Sequence, residues 1–133
     1  IAGFALITER DIWQALEQTD LDYYEWIARK EVIQDKSFLH IFIELKSAAS
    51  VNTAEVVEQI STALREMNSD YNDFVEILNY KGIKVSMLNP GAFGVYMDYQ
   101  QSHGADLAHT KPPHMKPTQD QMKKLLGDKK VKG

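Results

Sequence analysis

The feature that most constrains the fold of this chain is a strict period-two pattern in residues 38–45. The residues are, in order, Phe38, Leu39, His40, Ile41, Phe42, Ile43, Glu44 and Leu45. Because successive side chains of a β-strand point to opposite faces, this alternation predicts a strand with two different faces. Residues 22–33 are also rich in aromatic and β-branched residues, and the break at 34–37 predicts that the two strands form a hairpin.

His40 lies on the strand face that it shares with Phe38 and Phe42. A histidine in this setting is either a packed side chain with satisfied ring nitrogens or a catalytic group with a perturbed pKa. We interpret it as packed, because it stands between two phenylalanines on that face.

Two capping signatures predict helices on either side of the hairpin. Thr8 is followed three residues later by Asp11, a variant of the capping box. Asn52 is followed in the same way by Glu55, and an apolar stripe through residues 56–67 predicts a helix of about four turns. Both helices have an apolar face that must pack on another element.

Further elements complete the order along the chain. Residues 1–7 form an apolar run that predicts a buried strand, and residues 83–88 predict another. Residues 71–78 suggest a further helix, although a strand over 74–80 also fits. The resulting order, strand-helix-strand-strand-helix-strand, is typical of the split βαβ or ferredoxin-like pattern. We therefore expect an α+β fold with a sheet of about four strands and helices packed on it.

The segment after the last strand carries the most distinctive local chemistry. Asn89-Pro90-Gly91 predicts a tight turn, and Gly104 is placed to end the helix that follows. Lys111 precedes Pro112 and Pro113, which restricts the lysine to an extended backbone. From these residues alone, Lys111 is either an ordinary exposed lysine or a pre-organised charge for a phosphate or carboxylate.

Composition bounds the class of protein. The chain has 133 residues, 44% apolar and 26% charged, which indicates one globular domain. It contains no cysteine, which excludes disulfides and thiolate metal sites and fits a reducing cytoplasm. No apolar run approaches the roughly 20 residues that span a bilayer, and no secretory leader is present, so we expect no membrane partner. The strand-like start at Ile1 suggests a piece of a longer protein.

The charge is unevenly distributed along the chain. Residues 1–110 hold 8 Lys/Arg and 17 Asp/Glu, a balance of −9, whereas residues 111–133 hold 7 Lys and 2 Asp, a balance of +5. We therefore divide the chain into a small αβ domain, 1–110, and a lysine loop with a basic tail, 111–133. The tail is either a solvated, partly disordered terminus or a segment that meets an anionic ligand. A pI of about 5.5 argues against nucleic acid as the main partner.

Known catalytic motifs are absent. The sequence has no glycine-rich phosphate loop, no Gly-x-Ser-x-Gly turn and no His-Glu-x-x-His pair. His103, His109 and His114 are loosely spaced without supporting cysteines, so we predict no metal site. The domain lacks a self-contained catalytic constellation. If it serves an enzyme, we expect it to contribute one or two residues to a site that another domain completes.

The chain resembles a known family along most of its length. The segments that carry the resemblance are Val85-Ser86-Met87-Leu88, Pro90-Gly91-Ala92-Phe93, Tyr96-Met97-Asp98-Tyr99, Gly104-Ala105 and Lys111-Pro112-Pro113. With residues 39–45 and 63–71 upstream, they resemble the C-terminal domain of the auxin-responsive acyl acid–amido synthetases, the Gretchen Hagen family, and of their bacterial relatives.

This resemblance implies an adenylate-forming ligase that uses ATP and Mg²⁺. Members of the family activate a carboxylic acid as an acyl-adenylate and transfer the acyl group to the amine of an amino acid. A large N-terminal domain, the expected partner of this chain, holds most of the nucleotide and acyl-acid site, and the C-terminal domain closes over it. The family's loop lysine falls on Lys111, which is expected to reach the ATP phosphates or the acyl carboxylate. The chain by itself is expected to be inactive.

The chain departs from the family pattern at three places. The Gln that precedes the lysine in the family falls on His109, and the Arg that follows the proline falls on His114, so both histidines become candidate nucleotide contacts. The family's hinge segment Phe-Gly-Glu-Glu is replaced by Phe4-Ala5-Leu6. The alternative to a ligase lid is a non-catalytic, ferredoxin-like module that binds a small ligand or a protein. The acyl acid and the amino acid are not indicated.

Overall fold

The computed structural model describes residues 7–104 and 112–126. The elements are α1 (Glu9–Glu17), β1 (Tyr23–Ile33), β2 (Lys36–Leu45), α2 (Thr53–Met67), α3 (Ser69–Leu78), β3 (Ile83–Met87), α4 (Ala92–Ser102) and α5 (Gln119–Leu126). None of the described helices is long and apolar enough to cross a membrane.

The predicted hairpin is confirmed and supplies two of the three strands of the sheet. β1 pairs antiparallel with β2 from Tyr23 opposite Leu45 to Ile33 opposite Lys36. Only Gln34 and Asp35 make the turn, and both have a positive φ, 50° and 67°. Positive φ at both central residues is what a type I′ two-residue turn requires, and the twist of that turn matches the twist of the strands.

The third strand gives the sheet its mixed character. β3 pairs with β2 in parallel, from Leu39 opposite Ile83 to Ile43 opposite Met87, so the strand order is β1-β2-β3. The predicted α+β class is confirmed, but a count of about four strands is too high for the described residues, which form three. A split βαβ unit would place another strand between β2 and β3, whereas these two are hydrogen-bonded neighbours. The strand predicted for 1–7 lies almost wholly outside the described residues.

Helices cover both faces of the sheet. Leu39, Ile41 and Ile43 of β2 point into a core formed with α1, α2 and α3. Phe42 points to the other face, where it joins a second core with residues of α4 and α5. The period-two pattern of β2 therefore separates two cores, and the strand is apolar on both sides because both sides are covered.

The ambiguous stretch after α2 is helical. Asn68 ends α2 and also caps α3, since its side chain accepts a hydrogen bond from the Tyr71 amide at 2.9 Å. α3 ends at Asn79 in the left-handed conformation, with φ 61°. The alternative of a strand over 74–80 was therefore wrong. The buried Tyr71 hydroxyl is satisfied by Ser61 Oγ and the Lys81 carbonyl, both at 2.7 Å.

Candidate functional site at the lysine loop

The structure places only part of the predicted site. Lys111 and His109 lie outside the described residues, so their predicted roles stay predictions. Pro112, which follows the lysine directly, is buried, and His114 is well defined by its contacts. The site is therefore described by the segment that anchors the lysine loop from its C-terminal side.

His114 bridges two carboxylates from different elements. Its Nδ1 lies 2.7 Å from Oε2 of Glu9 in α1, and its Nε2 lies 2.6 Å from Oε1 of Glu25 in β1. Both ring nitrogens act as donors only in the imidazolium form. The hydrogen bond to Glu25 raises the pKa of His114 against the opposing effect of burial, and Glu9 raises it further. The two carboxylate contacts therefore favour the positively charged form of the ring.

Two tryptophans enclose the same ring. The indole of Trp26 is stacked on His114 with centroids 4.3 Å apart and an angle of 8°. Trp13 meets the ring edge-on at 5.8 Å. Because an aromatic face carries negative charge density, stacking favours the cationic form of the imidazole. The sequence pattern does not indicate that either tryptophan would flank His114.

The backbone after Lys111 also joins the sheet. The Ala28 amide donates to the His114 carbonyl at 2.7 Å, and Ala28 forms a parallel bridge with Met115. Because this pairing is parallel, the chain enters it from the end of the sheet where β1 begins. β2 and β3 end at that same side, since Tyr23 lies opposite Leu45. Ligands of α/β units commonly bind beyond the carboxyl ends of parallel strands.

Glu44 orients α4 at this end of the sheet. Its carboxylate is buried, with 5% exposure, and accepts hydrogen bonds from the amides of Gly91 and Phe93 at 2.8 and 2.9 Å. Gly91 occupies the N-cap position with φ 86° and has no side chain to cap the helix. Glu44 therefore caps α4 from β2 and places a negative charge at the positive end of the helix dipole. Sequence analysis missed this role, although a glutamate within an apolar strand was its signal.

Two hollows lie beside this junction. The larger, about 340 Å³, is lined by Tyr24, Glu44, Leu45, Lys46, Gly91 and Gly94. The smaller, about 90 Å³, is lined by Leu45, Ser47, Ala48, Ala49, Met87, Leu88 and Pro90. Leu45, the last residue of β2, lines both hollows, so both lie at the carboxyl end of that strand.

His40 is packed, as predicted. It is 1% exposed, its Nδ1 lies 2.9 Å from Glu31 Oε2, and its Nε2 lies 2.6 Å from Ser86 Oγ. Burial lowers the pKa of His40, so the neutral ring donates to Glu31 and accepts from the Ser86 hydroxyl. These distances resemble those of a Ser-His-acid triad. Ser86, however, lies in the middle of β3 opposite Phe42, and we interpret the cluster as a satisfied polar network.

The segment before the lysine loop ends as the sequence indicated. Gly104 adopts a positive φ of 91° just after α4. His103 is stacked on Tyr99 at 3.9 Å, and Lys124 of α5 lies 4.4 Å from the centroid of the same ring. Within residues 7–104 and 112–126, no group of three or more His, Cys, Asp or Glu side chains is arranged to hold a metal ion.

Comparisons with known proteins agree with this architecture. The sequence model of the GH3 family C-terminal domain matches residues 10–120. A solved structure described as GH3.15 acyl acid amido synthetase superposes with a TM-score of 0.65 at 20% identity, over 92% of this chain and 26% of that one. A second, AtGH3.15 acyl acid amido synthetase in complex with 2,4-DB, gives a TM-score of 0.59 at 21% identity, over 92% and 25%. The chain thus spans about a quarter of their length. A search of curated proteins gives no match.

Proposed function

Because this chain belongs to the GH3 family and forms its C-terminal domain, we propose that it is the mobile lid of an ATP-dependent acyl acid–amido synthetase. The large domain of such an enzyme would supply most of the nucleotide site, the acyl-acid site and the Mg²⁺ ligands. The lid would close over that site and exclude water, which would otherwise hydrolyse the activated acid. We propose cytoplasmic action on a carboxylic acid and an amino acid.

The proposed reaction has two half-reactions. In the first, a carboxylate oxygen of the acid attacks the α-phosphorus of ATP, an O–P bond forms, and pyrophosphate leaves. In the second, the amine of an amino acid attacks the acyl carbon, a C–N bond forms, and AMP leaves with the bonding electrons while the amine loses a proton. Negative charge develops on the phosphate oxygens in the first step, and a cation placed beside them lowers its barrier.

Lys111 is the residue that we propose for this role. The observation that supports it is the anchoring of the chain directly after it. Pro112 is buried, and the His114 carbonyl accepts a hydrogen bond from Ala28. Ordering the loop in advance reduces the entropy lost when a lysine engages a phosphate. The loop enters the sheet at the end where β2 and β3 finish, the side on which a nucleotide would be met.

The two histidines of the loop have different standings in this proposal. A phosphate contact by His109 remains a prediction. A phosphate contact by His114 would require its ring to leave Glu9 or Glu25, because both nitrogens are engaged with these carboxylates. The stabilisation of developing charge is therefore assigned to Lys111 in this proposal.

Lys111→Ala in the complete enzyme tests the proposal. We expect ATP–pyrophosphate exchange that depends on the acyl acid to fall roughly 10²–10³-fold, the usual cost of removing one group that stabilises developing charge. Lys123→Ala is the matched control, since Lys123 is an exposed lysine of the same basic segment. Unchanged exchange in Lys111→Ala would contradict the assignment. Exchange by the 133-residue chain alone would contradict the division of labour between the domains.

A further inference from the structure

We propose that His114 is a positioning residue, which as an imidazolium clips the lysine loop to α1 and β1. This inference rests on the proposed function of Lys111, because the consequence of the clip is the placement of that lysine. His114 itself touches neither substrate nor nucleotide in this assignment. It acts through the backbone that joins it to Lys111.

Only a short stretch of backbone separates His114 from Lys111. The three peptide units from Lys111 to His114 span at most about 11 Å when fully extended. Two of the three residues after Lys111 are prolines, whose fixed φ leaves few ways to absorb a displacement. The chain between the two residues therefore absorbs little of a displacement of His114, and most of that displacement is transmitted to the start of the lysine loop.

This clip consists of the contacts of His114 with Glu9 and Glu25, and it joins elements that are distant in sequence. Glu9 of α1 and Glu25 of β1 both face the His114 ring, and no other described residue is hydrogen-bonded to it. Glu25 Oε1 also accepts from the Trp26 amide at 3.1 Å, which holds the carboxylate in place. Tyr23 lies near this cluster, and burial together with Glu17 raises its pKa to about 12, so it stays neutral. Among residues 7–104 and 112–126, the charged groups hydrogen-bonded within the clip are one imidazole and two carboxylates.

Loss of the proton would release one side of the clip. A neutral imidazole has a single N–H, so it can donate to Glu9 or to Glu25 but not to both. The pKa of His114 is raised in the folded protein. The stabilisation is therefore complete below the unfolded pKa, about 6.5, and is lost as the pH rises through the folded value. The clip is therefore closed near and below the unfolded pKa and opens as the pH rises through the raised pKa of His114.

Two substitutions separate the charge from the mere presence of a side chain. His114→Arg keeps a cation at every pH, offers several N–H donors to the two carboxylates and can stack on Trp26. His114→Gln removes the charge. His103→Gln is the matched control, because His103 is an exposed histidine of the same chain that does not contact the clip.

The first readout is independent of catalysis. We expect hydrogen exchange in peptides of the complete enzyme that cover Ala28 to accelerate at least severalfold in His114→Gln, because the Ala28 amide donates to His114. In the unaltered enzyme the same peptides should lose protection as the pH rises through the raised pKa of His114, by more than the pH dependence of the intrinsic exchange rate explains. His114→Arg should keep its protection there, and His103→Gln should match the unaltered enzyme throughout.

The second readout is the pH profile of pyrophosphate exchange. A misplacement of about 1 Å can cost up to about 10²-fold in rate, and we expect roughly a tenfold fall in kcat for His114→Gln with little change in the KM for ATP. The alkaline fall assigned to His114 should disappear in His114→Arg. A raised KM with unchanged kcat would identify a ligand contact instead and overturn the inference. Unchanged hydrogen-exchange protection at Ala28 in His114→Gln would also overturn the inference.

The two proposals fail in distinguishable ways. If Lys111→Ala is active but His114→Gln loses protection at Ala28, the clip stands and the role of Lys111 falls, and with it the catalytic consequence inferred for His114. If Lys111→Ala is inactive while His114→Gln and its pH profile match the unaltered enzyme, the role of Lys111 stands and the positioning role of His114 is refuted.

Discussion

Glu44 offers the sharpest test of how the fold holds the site. Its buried carboxylate accepts from two backbone amides, those of Gly91 and Phe93, and no side chain at the N-cap position can replace it. A hydrogen bond to a charged group contributes about 1.5–3 kcal/mol net, and a charge at a helix N-terminus adds about 0.3–1 kcal/mol. Removing the charge while keeping the shape therefore loses part of two strong interactions.

Glu44→Gln is the informative substitution. Its amide oxygen can serve one of the two N–H groups, while its NH₂ group faces the other donor. We expect the free energy of unfolding to fall by about 2–3 kcal/mol, which at a urea m-value of about 1–3 kcal/mol/M moves the midpoint by roughly 1 M or more. Urea denaturation followed by circular dichroism measures this. The matched control is Glu66→Gln on the exposed side of α2, with an expected change within about 0.5 kcal/mol.

The result that would refute this reasoning is a small effect at Glu44. A loss below about 0.5 kcal/mol in Glu44→Gln would mean that water or another group satisfies the two amides, so that α4 does not depend on β2. An effect confined to α4, seen as faster hydrogen exchange at Phe93 without a change in the midpoint, would show that α4 opens separately from the sheet.

Two further predictions concern the cores. Tyr71→Phe removes the hydroxyl that lies between Ser61 and the Lys81 carbonyl and should destabilise the protein by about 1–2 kcal/mol by urea denaturation; no change would mean that the two partners find other hydrogen bonds. Because burial lowers the pKa of His40 in the folded protein, stability should fall as the pH drops below the unfolded pKa of about 6.5. Thermal melts between pH 5 and 7 should show that this fall is smaller in His40→Gln. An unchanged fall would mean that another group causes it.

Local sequence patterns predicted the helix ends well where one physical rule dominates. The capping box of Thr8 and Asp11, the cap at Asn52 and the left-handed end at Gly104 all occur as predicted. Each depends on residues within a few positions, where backbone hydrogen-bonding needs decide the outcome. Residues 71–78 were harder, because a short apolar run fits a helix or a strand. The Asn68 cap and the left-handed Asn79 settled that segment as a helix.

The sequence by itself determined the hairpin, the capped helices, the packed His40 and the resemblance that points to Lys111. Only the tertiary structure decided that β3 lies directly beside β2, that Glu44 caps α4 from 47 residues away, and that His114 is held between Glu9 and Glu25. The physical reason is the sequence separation over which each effect acts. Periodicity and capping act over one or two turns of chain, whereas strand order and the pairing of distant charges depend on how separate elements bury their apolar faces together.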